Sequence, residues 1–438
     1  MCLYTTMACN KRYTPTIKNR GIVPPVPRVY RKSEDGSIKT FEDTRITNVP
    51  IPCGKCMECR KKLKRNWQIR LFEELKHNET KAVFVTFTFN TKELSKLHAE
   101  VKEDYPKLQG YDIDNKIAKI AVRRYLERWR KSTKKSVRHW FVTELGHGEW
   151  EHLHLHGIIW TEKSENFIQD RWQYGNIWTS LTGKTKTGEN GYVNEQTINY
   201  IVKYVSKIDK SHPNYKQLTL CSPGIGKAYI ETTHAKQKHK YKEENTDLMY
   251  RKPNGRKSPI PTYYKRKLFD DDQRTELWRD MLDKQKMYIG GEEIDVSTYK
   301  GIEDYQKIRE HYREINKEFG YGDNKINMLA RLTENRRRNL IYFERTILRR
   351  KKRGQRTYEI ESNLEKLTKS VSQYTGKGFK MKPIYELDLA DDKELITLMQ
   401  NIPPETHTNL SRKELKALIL PTIEDAFHVF GAMQNEYL

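Results

Sequence analysis

The chain has 438 residues, enough for two or three domains and a sizeable buried core. Its 82 lysines and arginines against 58 acidic residues give a net charge of +24, which folding does not require and which points to an anionic partner, most simply a nucleic acid. Hydrophobic residues make up 36%, too many for wholesale disorder, and no apolar run approaches the roughly 20 residues that span a bilayer. Met1-Cys2-Leu3-Tyr4 has none of the apolar core of a signal peptide, so a secreted or membrane protein is not expected. Six cysteines are too few to staple a chain of this length and read as reduced thiols or metal ligands.

Residues 1–50 read as irregular, with the extended connector Val23-Pro24-Pro25-Val26-Pro27. A cysteine-bearing stretch, Pro52-Cys53-Gly54-Lys55-Cys56-Met57-Glu58-Cys59-Arg60, leads into a basic helix over Lys61 to Lys76, with Leu63, Trp67, Leu71 and Leu75 at helical spacing. The densest strand signal is Ala82 to Phe89, rich in β-branched and aromatic residues. A helix follows over Lys116 to Lys131, with Ile117, Ile120 and Ala121 on one side. Two strands, His139 to Leu145 and His152 to Trp160, flank the hairpin signal Gly146-His147-Gly148-Glu149. A helix is expected over Thr197 to Asp209 and a last strand at Leu218-Thr219-Leu220. Strand, helix, strand, strand, helix, strand is the order of a split βαβ, so the fold class is α+β with a ferredoxin-like antiparallel sheet.

Beyond about residue 265 the chain is charged and helix-prone, with few strand signals. Arg331 to Thr357 holds eleven Lys/Arg against two acids, and Ser411-Arg412-Lys413-Glu414 resembles a capping box ahead of a terminal helix. Three regions are expected: 1–80, the cysteine segment and basic helix; 81–265, the chemistry-bearing domain; and 266–438, mostly helical.

The sharpest chemical signal is His152-Leu153-His154-Leu155-His156. Residues two apart on a strand share a face, so the three imidazoles project one way and the two leucines the other. Neutral imidazole ligates divalent metals; the alternative is an edge strand with solvated histidines. Glu144, on the preceding strand, joins the histidine face if the hairpin keeps parity, for example opposite His152. A carboxylate there needs a metal or a basic partner.

The second signal is Tyr200-Ile201-Val202-Lys203-Tyr204-Val205-Ser206-Lys207. At about 100° per residue, Tyr200, Tyr204 and Lys207 form one stripe with Lys203 at its edge, while Ile198, Ile201, Val202, Val205 and Ile208 form the opposite one. Alone, this is ordinary amphipathicity. Beside a metal site it is also a phosphoryl-transfer set: a metal polarises the phosphate, a tyrosine attacks it, and lysines neutralise charge.

In these features the sequence resembles the HUH endonucleases that start rolling-circle replication, and most closely the initiators of microviruses of the gokushovirus-like branch. Phe84-Val85-Thr86-Phe87-Thr88 is similar to the first motif strand, His154-Leu155-His156 to the His-hydrophobic-His motif, Thr143-Glu144-Leu145-Gly146 to the position of a third ligand, and the Tyr200 to Lys207 run to the paired-tyrosine motif. Pro52-Cys53-Gly54-Lys55-Cys56, Ser222-Pro223-Gly224-Ile225-Gly226 and Pro261-Thr262-Tyr263-Tyr264 also resemble this branch, so the likeness covers roughly residues 50–265. His152 departs from the motif, which needs two histidines; it is a ligand, a supporting group or a DNA contact.

The resemblance implies an HUH nuclease core with Mg²⁺ or Mn²⁺ on His154, His156 and Glu144, and single-stranded origin DNA as substrate. It further implies a 5′-phosphotyrosine on Tyr200 or Tyr204, rejoining by the second tyrosine, help from a host helicase and DNA polymerase, and residence in the host bacterial cytoplasm. A relaxase or transposase with the same core, and a non-catalytic DNA-binding protein with a structural metal, are the alternatives.

Cys53, Cys56 and Cys59 suggest a structural zinc short of one ligand, with Cys2 or Cys9 as the fourth, or else free thiols near a turn. Cys221 is expected to be packed. Gly183-Lys184-Thr185 ends like a phosphate-binding loop, but Trp178 stands where its first glycine belongs. Arg336-Arg337-Arg338 and Arg349-Arg350-Lys351-Lys352-Arg353 are either phosphate contacts or a solvated helix face. Trp129 and Trp140 are either base-stacking or core residues.

Overall fold

The computed structural model describes residues 2–10, 28–32, 38–147, 151–181, 191–209, 212, 214–323 and six positions between 335 and 347. The prolines of 23–27, the Gly183 loop, Arg336, Arg337, the 349–353 basic run and the 411–414 capping box lie outside the described residues.

Four short strands open the chain: β1 (Thr6–Cys9), β2 (Arg28–Lys32), β3 (Ile38–Glu42) and β4 (Asn48–Ile51). Helix α1 (Met57–His77) follows, then β5 (Ala82–Thr88), α2 (Thr91–Asp104), α3 (Tyr111–Thr133), β6 (Arg138–Leu145) and β7 (Leu153–Trp160). Next come α4 (Glu165–Arg171), β8 (Ile177–Thr179), α5 (Glu195–Ser206) and β9 (Thr219–Cys221). The described remainder holds α6 (Ala228–Glu231), α7 (Thr233–Lys238), β10 (Met249–Arg251), β11 (Lys257–Pro259), α8 (Thr262–Leu268), α9 (Asp271–Asp283), β12 (Lys286–Ile289), β13 (Glu292–Asp295) and α10 (Tyr299–Glu318).

These elements form two compact units, neither continuous in sequence. One contains β5 to β8 with their helices, β9 and the described positions from 335 onward. The other contains β1 to α1, α5, and α6 to α10.

In the first unit five antiparallel strands lie in the order β8-β5-β7-β6-β9. β7 is central, hydrogen-bonded on both sides, so the alternative of a solvated edge strand fails. Alternation sends Val83, Val85 and Phe87 of β5, Phe141 and Leu145 of β6, and Leu153, Leu155 and Ile159 of β7 to one face. Leu94, Leu97 and Val101 of α2 and Ile113, Ile117, Ala121 and Tyr125 of α3 join them in one core. Gly157 lies between Val85 and Phe141 in register, and a Cβ there would meet the Phe141 ring at 2.2 Å. Trp129 and Trp140 are both buried, the core reading of the two.

Arg338 is neither a phosphate contact nor part of a solvated face. It is fully buried, donating from Nε and Nη2 to the Asp114 carboxylate (2.9 and 2.8 Å) and from Nη1 to Glu151 (3.0 Å). A buried guanidinium is tolerated only when so paired, and acidic partners more than 180 residues earlier cannot be read from a local charge run.

In the second unit, Ile69 of α1 packs with Tyr229, Ile230, Tyr250, Tyr264 and Phe269. The N-terminal stretch expected to be irregular forms two antiparallel pairs, β1 with β4 and β2 with β3. These strands are four or five residues long, too short to show a period, and β1 finds its partner some forty residues on. A β12–β13 hairpin turns at Gly290-Gly291, a signal submerged in the charged run around it.

Candidate functional site

β5, β6 and β7 place their alternate residues on the sheet face opposite the helices. Glu144 of β6 and Thr88 of β5 pair with His154 of β7, and Val142 and Thr86 pair with His156. Parity therefore brings Glu144 to the histidine face, two residues from the pairing expected. Glu144 Oε2 lies 2.7 Å from His156 Nε2, and Thr86 Oγ1 lies 3.0 Å from His156 Nδ1. Thr86 and Glu144 thus hold both nitrogens of the His156 ring. Phe84 stacks on His156 at 6.4 Å, and Trp178 meets the edge of Phe84 at 5.5 Å.

His154 rests against Gly146, where a Cβ would stand 3.0 Å from the ring. Burial, then the charge of His156, pushes the His154 imidazole below its ordinary range, so it is held in the neutral, ligating form. The two histidine rings are nearly parallel, 6.5 Å apart. One carboxylate and two imidazoles on a common face have the donor chemistry of a divalent-cation site.

His152 stands just outside β7. The ladder ends at Leu145 paired with Leu153, and Gly146 N–H closes it onto the His152 carbonyl at 2.9 Å. Glu151, in the left-handed region at φ 41°, turns the chain, and His152 Nε2 lies 3.4 Å from Thr91 Oγ1 at the start of α2. Two histidines therefore alternate on the strand and the third meets a helix.

The other expected group lies on α5, in the other unit. Asn194 and Thr197 form a reciprocal capping box that starts the helix at Glu195, two residues earlier than expected. Ile198, Ile201, Val202 and Val205 are buried and α5 packs along α1. Tyr200 and Tyr204, one turn apart and half-buried, join their hydroxyls at 2.8 Å, with rings edge-to-face at 5.6 Å. Lys203 Nζ lies 5.7 Å from the Tyr200 ring and Lys207 Nζ 5.9 Å from the Tyr204 ring. Gln68 of α1 donates to Asn199, and Arg60 donates to the Lys207 carbonyl at 3.1 Å. α1 thus holds the tyrosine helix at its middle and at its C-terminal end.

Sequence reasoning missed the part played by four residues. Thr86 supports His156, and its position directly opposite on β5 follows only from register. Gly146 gives His154 room, a purpose hidden behind its hairpin signal. Glu151 and Arg338 brace the chain just before His152, which depends on residues far apart in sequence.

The family model described as Replication-associated protein, of the ORF2 type, matches residues 82–209. This chain is similar to replication-associated proteins. One relative, Replication-associated protein VP4 of Bdellovibrio phage phiMH2K, is 27% identical over 247 residues, covering 50% of this chain and 67% of its own. No solved structure matches the chain. The 82–209 stretch contains Glu144, His154, His156, Tyr200, Lys203, Tyr204 and Lys207.

Proposed function

We propose that this protein initiates phage rolling-circle replication by nicking and rejoining single-stranded origin DNA through a tyrosine nucleophile. The observation that carries the reading is that one replication-associated family match, residues 82–209, spans both the Glu144–His156 face and the paired tyrosines. The net charge of +24 supports a polyanionic substrate.

In this account the single strand lies on the basic protein, and Tyr200 or Tyr204 attacks the scissile phosphorus through Oη. The new O–P bond leaves the 5′ end on the tyrosine; the P–O3′ bond breaks, and the 3′-oxygen leaves with a proton as a free hydroxyl. The 2.8 Å hydroxyl pair places the two phenols side by side, so either can attack in turn, its Oη proton passing to solvent as the Oη–P bond forms. Lys203 and Lys207 offset phosphate charge. Glu144, His154 and His156 are the residues that would hold a divalent ion (Mg²⁺ or Mn²⁺), which when bound supplies Lewis-acid polarisation of the phosphate. His152, beside Thr91, is the supporting member of the set. A host polymerase extends the 3′-hydroxyl and a host helicase separates the strands; the second tyrosine then attacks the regenerated origin, and the 3′-hydroxyl it frees attacks the first phosphotyrosine, breaking its O–P bond to the tyrosine and closing the displaced strand into a circle. The host bacterial cytoplasm is where these partners are met; among the described residues no helix is long and apolar enough to cross a membrane.

The test is incubation of the protein with labelled single-stranded origin oligonucleotides, with and without Mn²⁺ or Mg²⁺, resolved on a denaturing gel. A covalent protein–DNA band that needs metal and disappears in the Tyr200→Phe/Tyr204→Phe variant supports the reading. Tight DNA binding with no covalent band from any segment of a cognate phage genome replaces it with the non-catalytic DNA-binding reading. Cleavage confined to non-phage transfer or transposon ends favours the relaxase or transposase reading.

A further inference from the structure

Four cysteines from two distant parts of the chain come together in the unit that holds α1 and α5. Cys53 and Cys56 flank the turn Gly54-Lys55, and Gly54 takes φ +73°, a left-handed conformation that favours glycine. Cys56 is the N-cap of α1, and Cys59 lies one turn along the same helix. Cys2, from the N-terminal stretch just before β1, completes the group. All four Sγ atoms lie within 4.8 Å of one another. Cys9, on β1, is exposed and stands apart.

The sulfur cage has the size of a single-ion site. Cys2 Sγ lies 3.5 Å from Cys53 Sγ and 3.9 Å from Cys56 Sγ, and Cys53 Sγ lies 4.0 Å from Cys59 Sγ. Four sulfurs at about 2.3 Å from one tetrahedral zinc stand about 3.8 Å apart. A disulfide needs about 2.05 Å, and a multi-iron cluster needs its thiolates spread much wider. Backbone N–H groups aim at the sulfurs: Tyr4 and Cys53 donate to Cys2 Sγ at 3.4 and 3.2 Å, and Cys56 donates to Cys53 Sγ at 3.3 Å. Such donors stabilise thiolates, which carry negative charge, and offer little to neutral thiols.

We infer that Cys2, Cys53, Cys56 and Cys59 bind one structural Zn²⁺ per chain, and that this ion ties the N-terminus to the base of α1. The surroundings are built to hold that junction. Leu3 and Cys56 are buried with Ile289 and Tyr305 of the β12 and α10 elements. Arg313 of α10 donates to the Leu3 carbonyl at 3.0 Å, and Asn316, fully buried, accepts from Met57 N–H at 2.9 Å. An ion here fixes the first turn of α1, the helix against which α5 packs. It needs no open coordination position, because four protein sulfurs fill the tetrahedron.

The experiment is metal analysis of the purified full chain, followed by replacement of the ion with Co²⁺ and absorption spectroscopy. One zinc per chain is expected, and the Co²⁺ form should show strong thiolate-to-cobalt charge transfer with tetrahedral ligand-field bands. The His154→Ala/His156→Ala variant should keep both, separating this ion from any at the histidine face and from the proposed nicking activity. Cys9→Ser should change nothing, while Cys56→Ser should lose the zinc and the charge-transfer band. Should Cys56→Ser not fold, thiol titration of the wild type decides: these four cysteines should react together only after a strong chelator. Prompt reaction of all four without chelator, iron with acid-labile sulfide, or a Co²⁺ spectrum free of sulfur charge transfer would each overturn the assignment.

Discussion

Removing one side of the Arg338–Asp114 pair should be among the most damaging single changes in the sheet unit. Both side chains are fully buried, so neither solvent nor salt screens them. Asp114→Leu strands a guanidinium that has lost two hydrogen bonds of 2.8 and 2.9 Å and keeps those to Glu151. Breaking a buried pair by removing one partner costs about 3–5 kcal/mol, because the remaining charge stays desolvated. By the conversion of about 1.4 kcal/mol per tenfold, the open state becomes roughly 100- to 4,000-fold more populated. Hydrogen exchange read by mass spectrometry across α3, β6 and β7 should show it, provided those amides exchange through the opening of this unit. The double variant Asp114→Leu/Arg338→Met should lose less than Asp114→Leu alone, because no charge is left stranded. An exchange change under about fivefold for Asp114→Leu, well below 1.4 kcal/mol, would refute the reasoning.

Three further outcomes follow from single contacts. Gly157→Ala should destabilise the sheet unit by about 1–3 kcal/mol or more, because the new methyl meets Phe141 at 2.2 Å and the Trp140 carbonyl at 2.4 Å; urea unfolding checks it. Thr86→Val, which removes the hydroxyl on His156 Nδ1, should weaken Mn²⁺ affinity about 10–100-fold with little change in fold, read by titration calorimetry. His239 is pushed below the ordinary imidazole range by burial, with Lys238 adding to the effect. Its neutral ring donates to the Asp247 carbonyl and accepts from Tyr229. The unfolded chain therefore binds the extra proton first, and stability falls as pH drops from the ordinary imidazole pKa toward the lower folded one. Melting temperature followed from pH 7.5 down to 5 should decline, and His239→Asn should flatten that decline.

What could be read from the sequence was what is encoded within one element. The alternation of His154 and His156 with two leucines survives because a strand imposes period two on any sequence it holds, and β7 is buried on its leucine face. The paired tyrosines survive because one helical turn joins them whatever lies around the helix. Glu144 followed from the hairpin, although the ladder set its partner as His154 rather than His152. What escaped depends on pairing over distance. Thr86 meets His156 across two strands separated by α2, α3 and β6. Cys2 and Cys9 were equal candidates until the fold carried one to Cys53 and the other to the surface. Arg338 read as a phosphate contact or part of a solvated face because its acidic partners come from α3 and the approach to β7.

The central claim, that Tyr200 or Tyr204 carries the nicked strand, is tested most directly by mapping the adduct. Protein reacted with origin single strand and Mn²⁺ would be digested with protease and nuclease, and the peptides sequenced by mass spectrometry. The account predicts a nucleotide joined through its 5′-phosphate to Tyr200 or Tyr204, moving to the other tyrosine when the first is changed to Phe. A nucleotide on any other residue, or cleavage with no adduct in either single variant or the wild type, would contradict it.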